Sequence, residues 1–380
     1  MPMLLEAFVE KYYPEILVNN EMIFAALTHS DLTGYMVKPT VSLGDVVRTH
    51  KQDIAAIICV GGEVMGASSS TLFQHMNHPL LMRRAISSIK KFSPFLANVI
   101  CQKYYGLPWE YPYVPDKKTL EPSTKIIMNT IGGGLSTRRH YLQDVGHRLE
   151  SLDYLSVRDR RTEVSLSDFG APKLYPDSVM MISDLVSDEF LESHLTEALR
   201  EDATGNYLVF QASPYKSGCD SAMIVSVLEK ISNTTGLDIF LCPIGYAKGH
   251  DDYDFLRDVQ ETSKGRFKLF YNLNVWEILW LIRKSKLFIG TSLHGVITAM
   301  SYGLPHFGLN PSVKKLQSFL ETWSIEPFNR CYTADGLIGA VESLMKIQDI
   351  NTSLQENSSY LKDLVEENNH NMVAALGLFN

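Results

Sequence analysis

Short apolar or β-branched runs alternate with longer amphipathic stretches along this chain of 380 residues. Most of the short runs end in Gly, Ser or Asp, and this alternation is typical of βα units arranged around a parallel sheet. The clearest predicted strands are residues 54–60, 126–130, 154–157, 207–212, 239–243, 267–270 and 287–290. The pattern therefore predicts an α/β fold.

The strongest predicted helix lies between the last two of these strands. Asn274 is a suitable N-cap with Glu277 three residues later, and basic residues follow at the other end. The apolar positions have helical spacing and are Val275, Ile278, Leu279 and Ile282. We expect one face of this helix to pack on a sheet.

Two segments, residues 155–172 and 289–305, share one layout. Each reads as a strand, a sharp turn, a helix that stops at Gly, and then a Pro before another strand. The shared layout indicates two similar halves, each with side chains where a strand ends and a helix begins. Open α/β sheets bind ligands at those carboxyl ends.

The length favours two domains of roughly 100 to 200 residues each. An acidic segment without a strand pattern, residues 186–204, lies between the halves. We therefore predict an N-terminal domain over 1–186 and a C-terminal domain over 187–380. The tail from about residue 351 reads as one or two polar helices that can pack back across either domain.

The charge and the cysteines exclude several classes of function. With 35 Lys and Arg against 43 Asp and Glu, the net charge of -8 does not favour nucleic acid or an anionic bilayer, so an anionic ligand needs a local cluster. The five cysteines are widely spaced and form no C-x-x-C pair, which argues against a disulfide framework. No leader pattern and no apolar run of about 20 residues is present, so we expect a cytoplasmic protein.

The segment Thr291-Ser292-Leu293-His294-Gly295 is the sharpest local signal. It places a histidine in the first turn of a helix that follows a buried strand, with Thr291 or Ser292 as the cap. The N-terminus of a helix offers N–H groups to an anion, and a histidine can carry protons near neutral pH. His294 is then a general acid or base beside a bound anion; a packed histidine bonded to the backbone is the alternative.

Arg158 stands at the end of a predicted strand, where a guanidinium suits a bidentate grip on phosphate or carboxylate. The alternative is a salt bridge with Asp159 or Asp177. Lys314 and Lys315 follow a turn roughly 20 residues after His294 and, by themselves, read as a solvated pair.

Two glycine clusters follow strands, and they include Gly61, Gly62, Gly132 and Gly133. Neither matches a dinucleotide or P-loop motif, so they are either tight turns or loops that let an acceptor approach the backbone. His75 and His78 lack a further ligand at usual spacing, and we predict no metal site. The basic and aromatic residues over 80–113 favour ordinary core and helix surface, with sugar stacking or contact with a membrane surface as the alternative.

Taken together, these blocks resemble the polysaccharide pyruvyl transferase family. The similar segments are residues 53–62 (DIAAIICVGG), 154–162 (YLSVRDRRT), 176–178 (PDS) and 287–309 (LFIGTSLHGVITAMSYGLPHFGL). They extend over most of the chain, and the last is the most specific of them.

The resemblance implies two Rossmann-like domains in a GT-B-like arrangement. It also implies transfer of pyruvate from phosphoenolpyruvate to two hydroxyls of a sugar, free or lipid-linked, with no cofactor and with at most peripheral membrane contact. By position, His294 is the family's catalytic histidine. Arg158, Ser292, Leu293 and His294 would hold the donor together with Lys314 or Lys315.

Two features depart from the family pattern. Many members have Arg where this chain has Ser292, and members usually begin with a strand, whereas residues 3–13 read as a helix, so the first strand is missing or divergent. Two alternatives to a pyruvyl transferase stay open. One is a GT-B glycosyltransferase that uses a nucleotide sugar, and the other is a catalytically weak glycan-binding relative.

Overall fold

The computed structural model describes residues 1–135, 139–203, 205–246 and 251–378. The chain divides into two compact units, one formed by Met1–Ser178 with Glu366–Asn380 and the other by Val179–Val365. Each unit contains its own parallel sheet with helices packed on it.

The first unit contains six strands and eight helices in its described part before residue 178. The strands are β1 (Ala25–Ala26), β2 (Val41–Ser42), β3 (Ala56–Val60), β4 (Lys125–Ile131), β5 (Tyr154–Val157) and β6 (Lys173–Leu174). The helices are α1 (Pro2–Tyr12), α2 (Pro14–Asn19), α3 (Leu43–Thr49), α4 (Ser69–His75), α5 (Leu80–Phe92), α6 (Pro94–Tyr104), α7 (Arg139–Glu150) and α8 (Arg160–Leu166).

The main sheet of the first unit has the order β3-β4-β5-β6, and every pair in it is parallel. One apolar cluster packs α3 to α6 on this sheet, and a second packs α7 and α8. Because the strands are parallel, their carboxyl ends meet at one edge, where Arg158 and the glycine clusters follow β3, β4 and β5.

The second unit contains the remaining elements. The strands are β7 (Tyr207–Gln211), β8 (Asp238–Leu241), β9 (Lys268–Leu269), β10 (Leu287–Gly290), β11 (His306–Leu309) and β12 (Cys331–Tyr332). The helices are α9 (Ile182–Leu185), α10 (Asp188–Ser193), α11 (Glu197–Asp202), α12 (Ser221–Thr235), α13 (Asp252–Thr262), α14 (Val275–Lys284), α15 (Leu293–Ser301), α16 (Lys314–Trp323), α17 (Gly336–Leu344) and α18 (Ile350–Leu376).

The sheet of the second unit is parallel throughout and has the order β12-β11-β10-β7-β8-β9. This is the strand order of a Rossmann sheet, in which the chain runs outwards first on one side of β7 and then on the other. The direction in which successive strands are added to the sheet changes between β7 and β10. In such sheets the crevice beyond the carboxyl ends of these two strands is the usual place for a ligand.

The domain boundary differs from the predicted one. The first unit ends at Ser178 rather than at residue 186, and the chain from Glu366 is grouped with the first unit instead of the second. Polar contacts explain the second difference: Asn368 on α18 donates to Asn129 Oδ1 at 2.6 Å and accepts from the Tyr154 hydroxyl at 2.8 Å. His370 also contacts the Tyr13 hydroxyl at 2.6 Å.

The predicted elements are otherwise found where expected. All seven predicted strands are confirmed, and the predicted helix forms α14 with a capping box between Asn274 and Glu277. The tail is a single helix of 27 residues. Among the described residues, no helix combines the length and the apolarity needed to cross a membrane.

His306 opens β11 and is fully buried. Its Nδ1 lies 2.8 Å from the Leu304 carbonyl oxygen and therefore donates to it, so the neutral ring accepts at Nε2 from the Ser324 hydroxyl at 2.9 Å. Burial lowers the pKa of His306 from 6.5 to about 4, because a charged imidazolium loses its hydration there. The ring therefore stabilises the fold only while it remains neutral.

We expect the second unit to be sensitive to mild acid through this residue. A pKa that is lower in the folded state contributes stability above pH 6.5, and this contribution is lost as the pH falls towards about 4. Between about pH 7 and about pH 5 the wild-type protein should lose about 2 kcal/mol of unfolding free energy more than His306→Gln does. Urea unfolding followed by tryptophan fluorescence measures this, because Trp276, Trp280 and Trp323 all lie in the second unit. Equal losses in both proteins would contradict the prediction.

Candidate active site

The turn between β10 and α15 has the conformation that the sequence predicts. Ser292 is the N-cap of α15, and its Oγ accepts from the Gly295 N–H at 3.2 Å. Leu293 is buried, whereas the side chain of His294 in the first turn of the helix is exposed. This turn follows the carboxyl end of β10, at the point where the strand order changes direction.

Gln211, at the end of β7, holds this turn in place. Its Oε1 accepts from the Thr291 N–H at 3.0 Å and from the Ser292 N–H at 2.8 Å. Its Nε2 donates to Asp252 Oδ2 at 2.8 Å. These bonds use the two N–H groups that precede α15, and they hold the turn between β10 and α15 to the end of β7.

Asp252 is the second residue of this network that the sequence analysis missed. Its Oδ2 also accepts from the Ile244 and Gly245 N–H groups at 3.0 and 2.8 Å. Burial raises the pKa of this carboxyl group, and its hydrogen bonds act in the opposite direction. Gln211, a polar side chain at the end of an otherwise apolar strand, is the one signal in the sequence that could have pointed to this network.

Positive charge lies at the same edge of the sheet. Lys314 is the first residue of α16, which follows β11, and β11 is the parallel neighbour of β10. Lys314 is exposed and Lys315 half-buried. Asn310, between β11 and α16, donates to the Lys216 carbonyl oxygen at 2.9 Å, which ties the loop after β7 to the loop after β11. The structure thus brings Ser292, Leu293, His294, Lys314 and Lys315 to one edge of the second unit.

In the first unit, Arg158 is an ion-paired side chain that is only 1% exposed. Its guanidinium contacts Asp177 Oδ2 at 3.0 Å and Glu63 Oε1 at 3.2 Å, while Asp159 Oδ2 lies 4.0 Å from Nε. Glu63 also accepts from Arg161 at 2.6 Å. The structure therefore shows the salt-bridge alternative at Arg158, with Asp177 as the buried partner and Glu63 as a partner that the sequence analysis did not identify.

Gly132, in the second glycine cluster, packs directly against this guanidinium. A Cβ atom on Gly132 would stand 2.7 Å from Arg158 Nε, so only glycine leaves room for the guanidinium against the backbone. Gly61 and Gly62 have φ of 60° and 83°, in the left-handed region that favours glycine. The Gly132 N–H donates to the Gly62 carbonyl oxygen at 2.7 Å, and Gly133 donates to Thr162 Oγ1 at 3.1 Å.

Thr130 is a further residue of this edge that the sequence analysis did not identify. It lies within β4 with φ of 47°, which is uncommon for a β-branched residue, beside the register shift between Met128 and Ile131. Its Oγ1 is buried and has no hydrogen-bond partner among the described residues. Strained residues with unsatisfied polar atoms cluster at functional sites, so Thr130 belongs with Arg158 as a candidate.

No group of three or more His, Cys, Asp or Glu side chains within the described ranges is arranged to hold a metal ion. His78 instead stacks on Phe73 with 4.0 Å between the ring centroids and contacts the Tyr105 hydroxyl at 2.6 Å.

A family model described as polysaccharide pyruvyl transferase matches residues 39–313, about three quarters of the chain. The chain belongs to the polysaccharide pyruvyl transferase family. The matched residues of this pyruvyl transferase family member include Arg158, the glycine clusters, Ser292, Leu293 and His294, and they end just before Lys314. A comparison with curated proteins finds no match.

Solved structures similar to this family member show the fold. A Listeria monocytogenes protein described as a UDP-N-acetylglucosamine 2-epimerase is 11% identical, with a TM-score of 0.55, over 96% of this chain and 90% of its own. Staphylococcus aureus MnaA, solved with UDP, is 12% identical, with a TM-score of 0.50, over 97% of this chain and 90% of its own. These are GT-B enzymes, and the predicted fold class, α/β with two Rossmann-like domains of the GT-B type, is confirmed.

Proposed function

We propose that this protein transfers the pyruvyl group of phosphoenolpyruvate to two hydroxyls of a sugar in a cell-surface polysaccharide precursor, forming a pyruvate ketal and releasing phosphate. The observation that carries the proposal is the exposed His294, which lies within the residues that match the family. It follows the strand at which the strand order changes direction, on the same edge of the second-unit sheet as Lys314. The reaction needs no cofactor, because the donor already contains the leaving group.

The bonds can be followed through the reaction. Protonation of the donor's methylene carbon gives an oxocarbenium-like carbon, and one sugar hydroxyl adds to it with loss of its proton. The C–O bond to phosphate then breaks, and the second hydroxyl closes the ring with loss of its proton. His294 is the proposed proton carrier, and Lys314 or Lys315 offsets the charge of the departing phosphate.

Arg158 is the proposed donor ligand in the first unit. Asp177 fixes the guanidinium from within the protein, whereas Glu63 is 35% exposed at its side chain and is shared with Arg161. An anionic group of the donor can therefore take the place of Glu63. Arg161 would then lose its partner, but its side chain is 34% exposed, so water can solvate its charge. Ser292, where many relatives have Arg, reduces the positive charge available on the side of His294.

A thermal-shift comparison tests the donor. Phosphoenolpyruvate at roughly 100 times its Kd should stabilise the native protein by about 2.7 kcal/mol through mass action. Arg158→Lys keeps a positive charge beside Asp177 but lacks the bidentate geometry, so its stabilisation by phosphoenolpyruvate should be smaller. The matched control is Arg160→Lys, an exposed arginine two residues away whose partner is Glu163.

The other outcomes separate the alternatives. A stabilisation of the same size in Arg158→Lys would remove Arg158 from the donor site. Stabilisation by nucleoside diphosphates instead of phosphoenolpyruvate would favour a nucleotide-sugar glycosyltransferase, the alternative that fits the GT-B relatives, one of which was solved with UDP. Saturable binding of glycans without binding of either donor would favour a glycan-binding protein.

A further inference from the structure

One stretch of the first unit has a charge opposite to that of the whole chain. No Asp or Glu occurs between Glu63 and Glu110, although the chain contains 43 such residues. The same stretch contains five basic residues, Arg83, Arg84, Lys90, Lys91 and Lys103. It forms α4, α5 and α6, and the last two are adjacent helices separated only by Ser93.

The inner face of the α5–α6 pair belongs to the core. Ile86 on α5, and Ala97 and Cys101 on α6, are buried, and Ile86 and Cys101 join the apolar cluster that packs against β4. This inner face anchors the helix pair on the core of the first unit.

The outer face of the pair carries large apolar side chains that are exposed. Phe92, at the junction of the helices, is 93% exposed, and Leu81 near the start of α5 is 79% exposed. The other exposed apolar side chains of the two helices are Leu80, Met82, Phe95, Leu96, Ile100 and Tyr104. Leu96, Ile100 and Tyr104 recur every four residues, so they form one stripe along α6. We call the exposed side of the pair the outer face.

Basic side chains interrupt the apolar ones on the outer face. Arg84 and Lys91 on α5 and Lys103 on α6 are exposed. Lys90, in contrast, donates to Thr71 Oγ1 at 2.9 Å and is not counted here. A helix surface that combines exposed aromatic and aliphatic groups with cations and lacks acids is typical of a helix lying in the interface of a membrane.

We propose that the outer face of α5 and α6 docks on an anionic lipid bilayer. The apolar side chains would enter the boundary between headgroups and acyl chains, and each nearby cation would add about 1 kcal/mol against anionic lipids. Charge complementarity favours a bilayer over a protein partner, because the core of a protein interface is usually depleted of lysine. The whole chain has a net charge of -8, and all of its acidic residues lie outside this stretch, so the rest of the chain would be repelled and this face would turn towards the lipid.

This inference does not depend on the donor or on the reaction, so its failure leaves the proposed pyruvyl transfer untouched. The experiment is co-sedimentation of the full chain with vesicles of phosphatidylcholine containing about a third phosphatidylglycerol, and with vesicles of phosphatidylcholine alone. Wild-type protein should bind the anionic vesicles, and added salt should weaken the binding.

Two variants and their matched controls test which surface is responsible. Leu81→Ser with Phe92→Ser should weaken vesicle binding on the order of tenfold or more, because two apolar side chains that would enter the bilayer are lost. Arg84→Glu with Lys91→Glu should weaken vesicle binding by a similar factor, because two positive charges that attract anionic lipids become negative. Two controls should bind vesicles as the wild type does. Val164→Ser changes an apolar side chain on α8 that is 71% exposed. Lys118→Glu with Lys346→Glu reverses two exposed charges outside the outer face.

Three results would overturn the proposal. The first is no binding to anionic vesicles by the wild-type protein, and the second is equal weakening by the control variants. The third is a concentration-dependent dimer in sedimentation velocity that Leu81→Ser with Phe92→Ser dissociates, because the outer face would then be an interface between two copies of the chain. Equal thermal midpoints of all variants exclude misfolding as the cause.

Discussion

His294→Ala should lower the rate of phosphate release from phosphoenolpyruvate, measured with the best acceptor of a sugar panel, by about 10²- to 10⁴-fold. The loss should fall mainly on kcat, because a proton carrier acts in the transition state more than in substrate binding. The side chain is exposed in the first turn of α15 and Ser292 provides the cap, so the fold should remain intact.

The matched control is His147→Ala, which removes an exposed histidine of the first unit from a position outside the proposed site. It should retain the wild-type rate. A second variant, His294→Gln, separates proton transfer from hydrogen bonding, since glutamine can donate and accept a hydrogen bond but does not titrate. Wild-type activity in His294→Ala would exclude this residue as the proton carrier.

The sequence was informative where a feature depends on neighbours in the chain. Seven strands and the α14 capping box follow from apolar runs and from residues three or four positions apart. The cap at Ser292 and the position of His294 in the first turn of α15 are features of the same kind. Two-residue strands such as β1, β6 and β12 are too short to have a detectable period.

The partners of the site residues could not be predicted, because they are distant in the chain. Glu63 and Arg158 are 95 positions apart, and Gln211 and Ser292 are 81 positions apart. No local pattern specifies which carboxylate or amide the folded chain brings to a given side chain. For this reason two alternatives stayed open for Arg158 at the level of the sequence, and only the structure showed Asp177 and Glu63 as its partners.

The tail illustrates the same limit of local reasoning. Its helical character follows from its composition, but the grouping of its last residues with the first unit depends on Asn368 and His370. A stripe of apolar residues indicates that a helix packs against something, whereas the identity of the surface is decided by polar contacts far away in sequence.

Asp177→Ala should destabilise the first unit by about 3–5 kcal/mol. Arg158 and Asp177 are 1% and 0% exposed, so removing the carboxylate leaves a buried guanidinium whose charge is balanced only by Glu63 and by the more distant Asp159. The free-energy cost of burying the Arg158 charge is then offset only in part by the carboxylates that remain. Asp177→Asn keeps a hydrogen-bond acceptor and should cost less. Urea unfolding followed by circular dichroism measures the change.

The exposed pair Arg160 and Glu163 gives the control for this prediction. Glu163→Ala removes one partner of an ion pair whose arginine is 69% exposed, and it should cost less than about 1 kcal/mol. A loss below about 1 kcal/mol in Asp177→Ala as well would mean that Glu63, together with the more distant Asp159, compensates Arg158. In that case the donor could not displace Glu63 as proposed, because displacement would leave the guanidinium without its principal counter-charge. The stability of Asp177→Ala therefore also decides whether Arg158 is able to serve as a ligand for phosphoenolpyruvate.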